Sequence, residues 1–382
     1  MTASAATLTV ELRNASKRFG KIQALDEANL AVREGECLVI AGPSGAGKTT
    51  LLRLVAGLEK PDSGDVVIEG RTVNKDGAWV RRTGMTFENY ALYPHLTVRD
   101  NIAFPLRSKA ARNSANGKES EESRVRRIAE MLRIEELLDR QTDQLSGGQR
   151  QRVSLARCLV REAVVFLLDE PLAHLDAKLR LAMRTEFKRM VSKLNATMIY
   201  ATHDYREAMA LGDRIAVIQE GQIIQVDTPK RIFDQPASLL VARFAGHPPI
   251  NTIEGSIEGG LVRLSDAGEG AVLGAYSAAD DVNFSHGPVI IGVRPMDCTW
   301  DGGAGSGLEG IVRAVKVRQD NTGTVLAETG SGLVEATLAT SARPQFGDRI
   351  DIRIEEDRSL IFDKESERLL GRIVPGASKG AH

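Results

Sequence analysis

A chain of 382 residues with 42% apolar and 26% charged side chains is too long for one typical core and has the make-up of a folded protein of two or three domains. Its net charge of −1 gives no electrostatic case for a nucleic-acid partner, and three scattered cysteines (Cys37, Cys158, Cys298) without a CxxC point to a reducing compartment. The six histidines form no metal-spaced cluster, no secretion signal is expected at the N-terminus, and the longest strongly apolar stretch, 163–168, is far short of the ~20 residues that span a bilayer.

Residues 8–13 alternate like a strand, and 36–41 form a short apolar run that ends at a glycine loop. A helix is expected over 50–57, closed by Gly57 with Pro61 soon after. Further strands are expected at 66–69 and 85–87. From 97 to about 160 the pattern is helical, interrupted at 108–123 by a solvated stretch rich in Ser, Asn, Lys and Glu. Strands return at 164–168, 197–202 and 215–219, and Glu220-Gly221 joins the last of these to 222–226 as a hairpin. Composition changes after Phe244, where Gly246-His247-Pro248-Pro249 reads as a linker. Short alternating strands follow at 251–257, 261–264, 289–293, 310–317, 323–328, 333–337 and 349–355, which predict one small β-barrel domain.

Three of the expected strands end in polar clusters. The first leads into Gly42, Pro43, Ser44, Gly45, Ala46, Gly47, Lys48, Thr49 and Thr50, a GxxxxGK[ST] loop between an apolar strand and a helix. Its glycines let backbone N–H groups turn inward around phosphates. Lys48 can reach the β- and γ-phosphates, and the Thr49 hydroxyl suits Mg2+. A glycine turn opening an ordinary helix is the plain alternative, disfavoured by strand, loop, Lys and Thr standing together. The second strand ends at Asp169 and Glu170. Asp169 suits holding the Mg2+ hydration shell, and Glu170 suits accepting a proton from an attacking water. Two acids that merely cap the next helix become a poor explanation beside a phosphate loop. The third ends at His203, placed to hydrogen-bond a γ-phosphate oxygen; a lone histidine is more often a core or surface residue, and only its strand-end position favours this role.

A second anion cradle lies far from the first along the chain. Leu145, Ser146, Gly147, Gly148 and Gln149 open a helix that runs to about Val160, with Ser146 as N-cap and two glycines exposing backbone N–H groups. A capped helix with a basic face is the alternative, but two cradles suggest a nucleotide clamped between surfaces.

With these motifs in place, the chain resembles the nucleotide-binding subunit of an ATP-binding-cassette (ABC) transporter over residues 8 to about 245. Gly42–Thr49 matches the Walker A loop, Leu145–Gln149 the signature loop, Asp169 and Glu170 Walker B and the catalytic glutamate, Asp176 the D-loop, and His203 the switch histidine. Phe19 sits where the family places an aromatic to stack on adenine. The resemblance implies an α/β P-loop NTPase cassette at 1–245: a RecA-like core, a β-subdomain and a helical subdomain at about 90–163. It further implies an OB-like regulatory (TOBE) domain at 246–382. The implied cofactors are ATP and Mg2+. Two copies, or a close paralogue, form a head-to-tail dimer with each ATP between the Walker A loop of one and the signature loop of the other. The implied partners are two integral membrane permease subunits, docked by their coupling helices at 89–98, and, indirectly, a solute-binding protein. The implied place is the cytoplasmic face of the cell membrane, as a peripheral subunit.

The C-terminal domain, including Ile291-Gly292-Val293-Arg294-Pro295, resembles the barrel appended to importer ATPases for maltose, glycerol phosphate and multiple sugars; polyamine and iron importers carry similar tails. One departure stands out. The family's Q-loop glutamine is Glu88 here, expected to ligate Mg2+ in the closed state and make closure more metal-dependent. A second is His174, which receives no role. A cassette for DNA repair lacks support, since no coiled-coil insertion is present, and a translation factor generally carries two cassettes. A sensor whose β domain sequesters a regulator stays open as a second role.

Overall fold

The computed structural model describes residues 7–87, 89–107, 119–173, 180–181, 183–185, 187–188, 196–265, 272–279, 282, 284–300, 308–317, 323–338 and 343–374. The chain divides into two compact units, Met1–Pro229 and Lys230–His382.

The first unit holds two sheets. Strands β1 (Leu8–Phe19), β2 (Ile22–Arg33), β4 (Ser63–Ile68) and β5 (Arg71–Thr72) form an antiparallel sheet in the order β2-β1-β4-β5. The second sheet contains β3 (Cys37–Ala41), β6 (Thr83–Met85), β7 (Val165–Asp169), β8 (Thr197–Thr202), β9 (Arg214–Gln219) and β10 (Gln222–Asp227), in the order β10-β9-β3-β8-β7-β6. All its pairings are parallel except the β9–β10 hairpin. β3, β7 and β8 are buried on both faces, which explains their unbroken apolar runs. Helix α1 (Lys48–Ala56) supplies Leu51, Leu52, Leu54 and Val55 to a core shared with both sheets. It stops at Gly57, whose left-handed backbone lets its N–H reach the Arg53 and Leu54 carbonyls.

The region read as helical contains α2 (Val98–Ala103), α3 (Glu121–Leu132) and α4 (Gly147–Leu159). Residues 108–118, most of the polar interruption, lie outside the described residues. Thr97, Ser120 and Ser146 cap the three helices with side-chain oxygens. Helix α5 (Tyr205–Leu211) follows β8. β2 was not foreseen, and β1 runs past the expected end. Register shifts along their pairing, with positive φ at Asn14 and Glu27, interrupt the period-two alternation that marks a strand.

In the second unit the expectation of one barrel is corrected to two. Strands β11 (Asn251–Glu258), β12 (Leu261–Leu264), β13 (Val272–Ala278), β14 (Gly287–Val293), β20 (Leu360–Asp363) and β21 (Leu369–Val374) close the first. Strands β15 (Cys298–Trp300), β16 (Leu308–Val317), β17 (Gly323–Thr329), β18 (Gly332–Leu338) and β19 (Arg349–Ile354) close the second. The chain leaves the first barrel after β14 and returns with β20. Alternation identifies strands but not partners, so this excursion leaves no local trace. One core runs through both barrels, and Asn251 bridges them through its amide to the Glu335 backbone at 2.8 and 2.9 Å.

Residues 229–244, which fall inside the expected cassette bounds of 1–245, form helices α6 (Pro229–Asp234) and α7 (Leu239–Phe244), which lie almost wholly in this unit. Leu239 and Ala242 pack on Ile250, Leu360 and Phe362. Arg294 is buried, donates to the Ala242 carbonyl (2.9 Å) and the Phe233 carbonyl (3.0 Å), and lies 3.9 Å over the Phe233 ring. Burial pushes its guanidinium down to about 10. Arg294→Met is expected to destabilise this unit by about 2–4 kcal/mol, because the buried Ala242 carbonyl and the half-buried Phe233 carbonyl lose their donor. Denaturant unfolding followed through buried Trp300 should show an earlier midpoint; an unchanged midpoint would discount the clamp.

Candidate active site

A parallel strand delivers its C-terminal residues to one edge of the sheet, and here four adjacent strands, β3-β8-β7-β6, do so side by side. β3 ends at the glycine loop, β8 at Thr202 and His203, β7 at Asp169 and Glu170, and β6 just before Thr86.

The loop Gly42–Gly47 is shaped by what surrounds it. A Cβ on Gly42 would lie 2.1 Å from the Ile218 carbonyl oxygen, and one on Gly47 would lie 2.4 Å from that of Ala24. Gly47 also has φ +107, which side chains rarely adopt, as N-cap of α1. The Gly221 N–H donates to the Ala46 carbonyl at 3.0 Å, so the β9–β10 turn braces the loop. Lys48 is buried, and its Nζ donates to the carbonyls of Gly42 and Pro43, both at 2.9 Å. The same ammonium lies 3.6 Å from Glu170 Oε1.

Thr49 Oγ1 donates to Asp169 Oδ1 at 3.2 Å, bringing together two metal-suited oxygens, one from the first turn of α1 and one from the end of β7. Asp169 is held by its own N–H, which Thr86 Oγ1 accepts at 3.1 Å, while the Thr86 N–H donates to the Leu167 carbonyl at 2.9 Å. This donor set fits Mg2+, which binds through one or two protein oxygens, phosphates and water rather than an all-protein cage. No group of three His, Cys, Asp or Glu that could hold a metal ion by itself occurs among the described residues.

Glu170 is a non-glycine residue at φ 44, a strained left-handed backbone of the kind that clusters at functional sites. Its N–H donates to the Ala201 carbonyl at 3.1 Å, which fixes the turn after β7 against β8. Its carboxylate spans two partners: Oε2 lies 2.8 Å from His203 Nδ1 and Oε1 faces Lys48. The structure thus gathers Lys48, Thr49, Asp169, Glu170 and His203 into one cluster. Such a cluster can hold a polyphosphate, a divalent ion and a water poised to lose a proton.

The second cradle stands apart. Ser146 and Gln149 form a reciprocal capping box, Ser146 Oγ accepting the Gln149 N–H (3.3 Å) and Gln149 Oε1 the Ser146 N–H (2.9 Å). Leu145 is buried beneath them, while Ser146 is exposed. Among the described residues, no hydrogen bond or ion pair joins Leu145–Gln149 to the loop Gly42–Thr50. Farther along α4, Ser154 Oγ donates to the Tyr90 carbonyl (3.0 Å), and Arg157 to those of Tyr90 (2.9 Å) and Ala91 (2.6 Å). Tyr90 and Ala91 have φ 60 and 46, so the start of the segment 89–98 is held in a strained form by the helix that opens at Ser146. Phe19 is exposed at the β1–β2 hairpin with Lys17 5.2 Å from its ring centroid. Glu88, Asp176 and His174 lie outside the described residues. Sequence reading missed Thr86 and the Ser154–Arg157 grip. Thr86 carries a weak signal, a hydroxyl at a strand end beside a carboxylate strand. The grip carries none, since its partners are backbone carbonyls.

The sequence profile described as ABC transporter matches residues 25–173. The chain is 39% identical over 373 residues to the trehalose/maltose import ATP-binding protein MalK of Thermococcus litoralis, covering 94% of this chain and 99% of that one. It is 38% identical over 366 residues to the sn-glycerol-3-phosphate import ATP-binding protein UgpC of Cupriavidus pinatubonensis, covering 94% and 98%. Among solved structures, the dimeric bacterial ABC transporter cassette MJ0796 aligns with a TM-score of 0.52 at 31% identity, covering 57% of this chain and 98% of that one. The same cassette is also known in a dimeric post-hydrolysis state bound to ADP and Pi.

Proposed function

The chain belongs to the ABC transporter ATP-binding family, and from that premise we propose that it energises an importer for a carbohydrate or a related polyol or sugar phosphate. The observation that carries the reading is the joined cluster of Lys48, Thr49, Asp169, Glu170 and His203 at the ends of adjacent strands. Likeness to two importer ATPases over nearly their full lengths supports the solute class.

In this reading the N–H groups of Gly42–Gly47 and the Lys48 ammonium bind the ATP phosphates, and Phe19 offers its exposed face to adenine. Thr49 and Asp169 hold Mg2+, which when bound neutralises phosphate charge. Glu170 takes the proton of the attacking water, and His203 orients Glu170 through the 2.8 Å contact. The cradle Leu145–Gln149, with Ser146 exposed on its rim, serves the ATP of a second copy, so two chains complete two sites. Hydrolysis reopens the pair. Asp176 belongs to the same dimer seam by resemblance.

No helix among the described residues is long and apolar enough to cross a membrane. By likeness to the importer ATPases, the membrane path is assigned to two permease subunits docked at 89–98, with the cassette peripheral on the cytoplasmic face and a solute-binding protein engaged indirectly. Affinity purification from native membranes tests this reading: two multi-span membrane proteins are expected with the chain, and recovery of only soluble partners would contradict it.

Glu88 makes a separate prediction. If its carboxylate ligates Mg2+, Glu88→Gln should shift the free-Mg2+ dependence of ATP hydrolysis to higher concentration, on the order of tenfold. Superimposable curves would remove Glu88 from the metal's surroundings.

A further inference from the structure

His203 sits between two residues whose positions are fixed from behind. The Thr202 hydroxyl donates to Glu207 Oε2 at 2.9 Å and accepts the Asp204 N–H at 3.0 Å. Tyr200, two residues back on β8 and so on the same strand face, donates its hydroxyl to the same oxygen at 2.9 Å. The Asp204 carboxylate receives Arg184 at 2.8 Å and the Arg206 N–H at 2.7 Å, and lies 3.7 Å from Arg180. Arg180 also donates to the Ala173 carbonyl at 3.1 Å, and the Ala173 N–H returns to the Glu170 carbonyl at 3.2 Å. The turns that carry Glu170 and His203 are therefore tied to each other away from the nucleotide side.

Glu207 is the central acceptor of this arrangement. It is 3% exposed, Tyr200 and Thr202 are no more exposed than that, and the Phe187 ring packs edge-on to Tyr200. Burial pushes its carboxyl above the usual carboxylate range. A buried carboxyl is costly unless it is hydrogen-bonded, and an aliphatic side chain would fill the same space without that cost. Glu207 and Glu170 both border a cavity of about 20 Å³ that Thr202 and His203 also line.

We propose that Glu207 is a positioning residue for hydrolysis, acting as the shared hydrogen-bond acceptor that fixes the end of β8 so that the His203 imidazole meets Glu170. The inference rests on the reading of Glu170 and His203 as the working pair. Glu207 acts through Thr202, whose hydroxyl it accepts.

The test is steady-state ATP hydrolysis by the full chain. Thr202→Val and Glu207→Ala are expected to lower kcat by about tenfold or more with KM for ATP changed less than about twofold, since misplacement of a reacting group costs rate rather than binding. Glu207→Gln keeps an acceptor oxygen and should stay within about threefold of the native kcat. In a His203→Ala background, Thr202→Val should add less than about a twofold further loss, because its effect passes through the imidazole. If Glu207→Ala fails to fold, the near-isosteric Thr202→Val carries the test. A native kcat for folded Thr202→Val, or its full loss repeated on top of His203→Ala, would overturn the proposal. A native rate for His203→Ala alone would overturn the underlying pair as well, and so is distinguishable from failure of the Glu207 step.

Discussion

Glu170→Gln should reduce kcat for ATP hydrolysis by roughly 10²–10⁴-fold while leaving ATP affinity nearly unchanged. The substitution keeps the shape of the side chain and its reach toward Lys48 and His203, which lie 3.6 and 2.8 Å from the two carboxylate oxygens. What it removes is the capacity to take a proton. The phosphate loop, Lys48, Thr49 and Asp169 are untouched, so nucleotide binding persists. Phosphate release measured beside equilibrium ATP binding separates the two quantities. A kcat within about tenfold of native would move the base elsewhere, and a parallel collapse of affinity would make Glu170 a structural residue.

Gly47→Ala should be a severely damaging small change in the phosphate loop. The added Cβ would meet the Ala24 carbonyl oxygen at 2.4 Å, and the Leu25 side chain at 3.1 Å, so backbone has to move. The residue would also have to hold φ +107. Strain and clash together should cost about 2–4 kcal/mol of stability. Relief of the strain would pull α1 away from the loop and turn the N–H groups off the phosphates. A thermal scan with and without ATP reads both effects. The native chain should gain about 2.7 kcal/mol at ATP a hundredfold above Kd, and the variant should gain almost nothing. An unchanged ATP-dependent shift would show that the loop tolerates the methyl group.

Much of the site was legible because its chemistry is local. The glycine loop, the Asp169-Glu170 pair and His203 each follow a short apolar strand, and parallel strands bring such ends to one edge. What local sequence could not show was which strands are neighbours. The order β3-β8-β7-β6 is what places His203 against Glu170, residues 33 apart in the chain. The same blindness hid the second barrel, since β14 and β20 pair across an excursion of five strands. β2 escaped for another reason: bulges at Asn14 and Glu27 break the alternation by which a strand is recognised. Glu207 also left no motif, because its work is to accept two hydroxyls from a strand that looks like plain core.

The central claim is that each site is completed by a second copy of the chain, through Leu145–Gln149. Sedimentation of the Glu170→Gln chain with ATP and Mg2+ tests it most directly, with and without a second substitution, Ser146→Arg, on the exposed rim of that cradle. The account predicts that Glu170→Gln alone shifts from monomer to dimer on ATP addition. The doubly substituted chain should bind ATP with about the same single-chain affinity yet stay monomeric, because its own phosphate loop is intact and only the surface offered to a partner is blocked. ATP-driven dimers of the doubly substituted chain would contradict it.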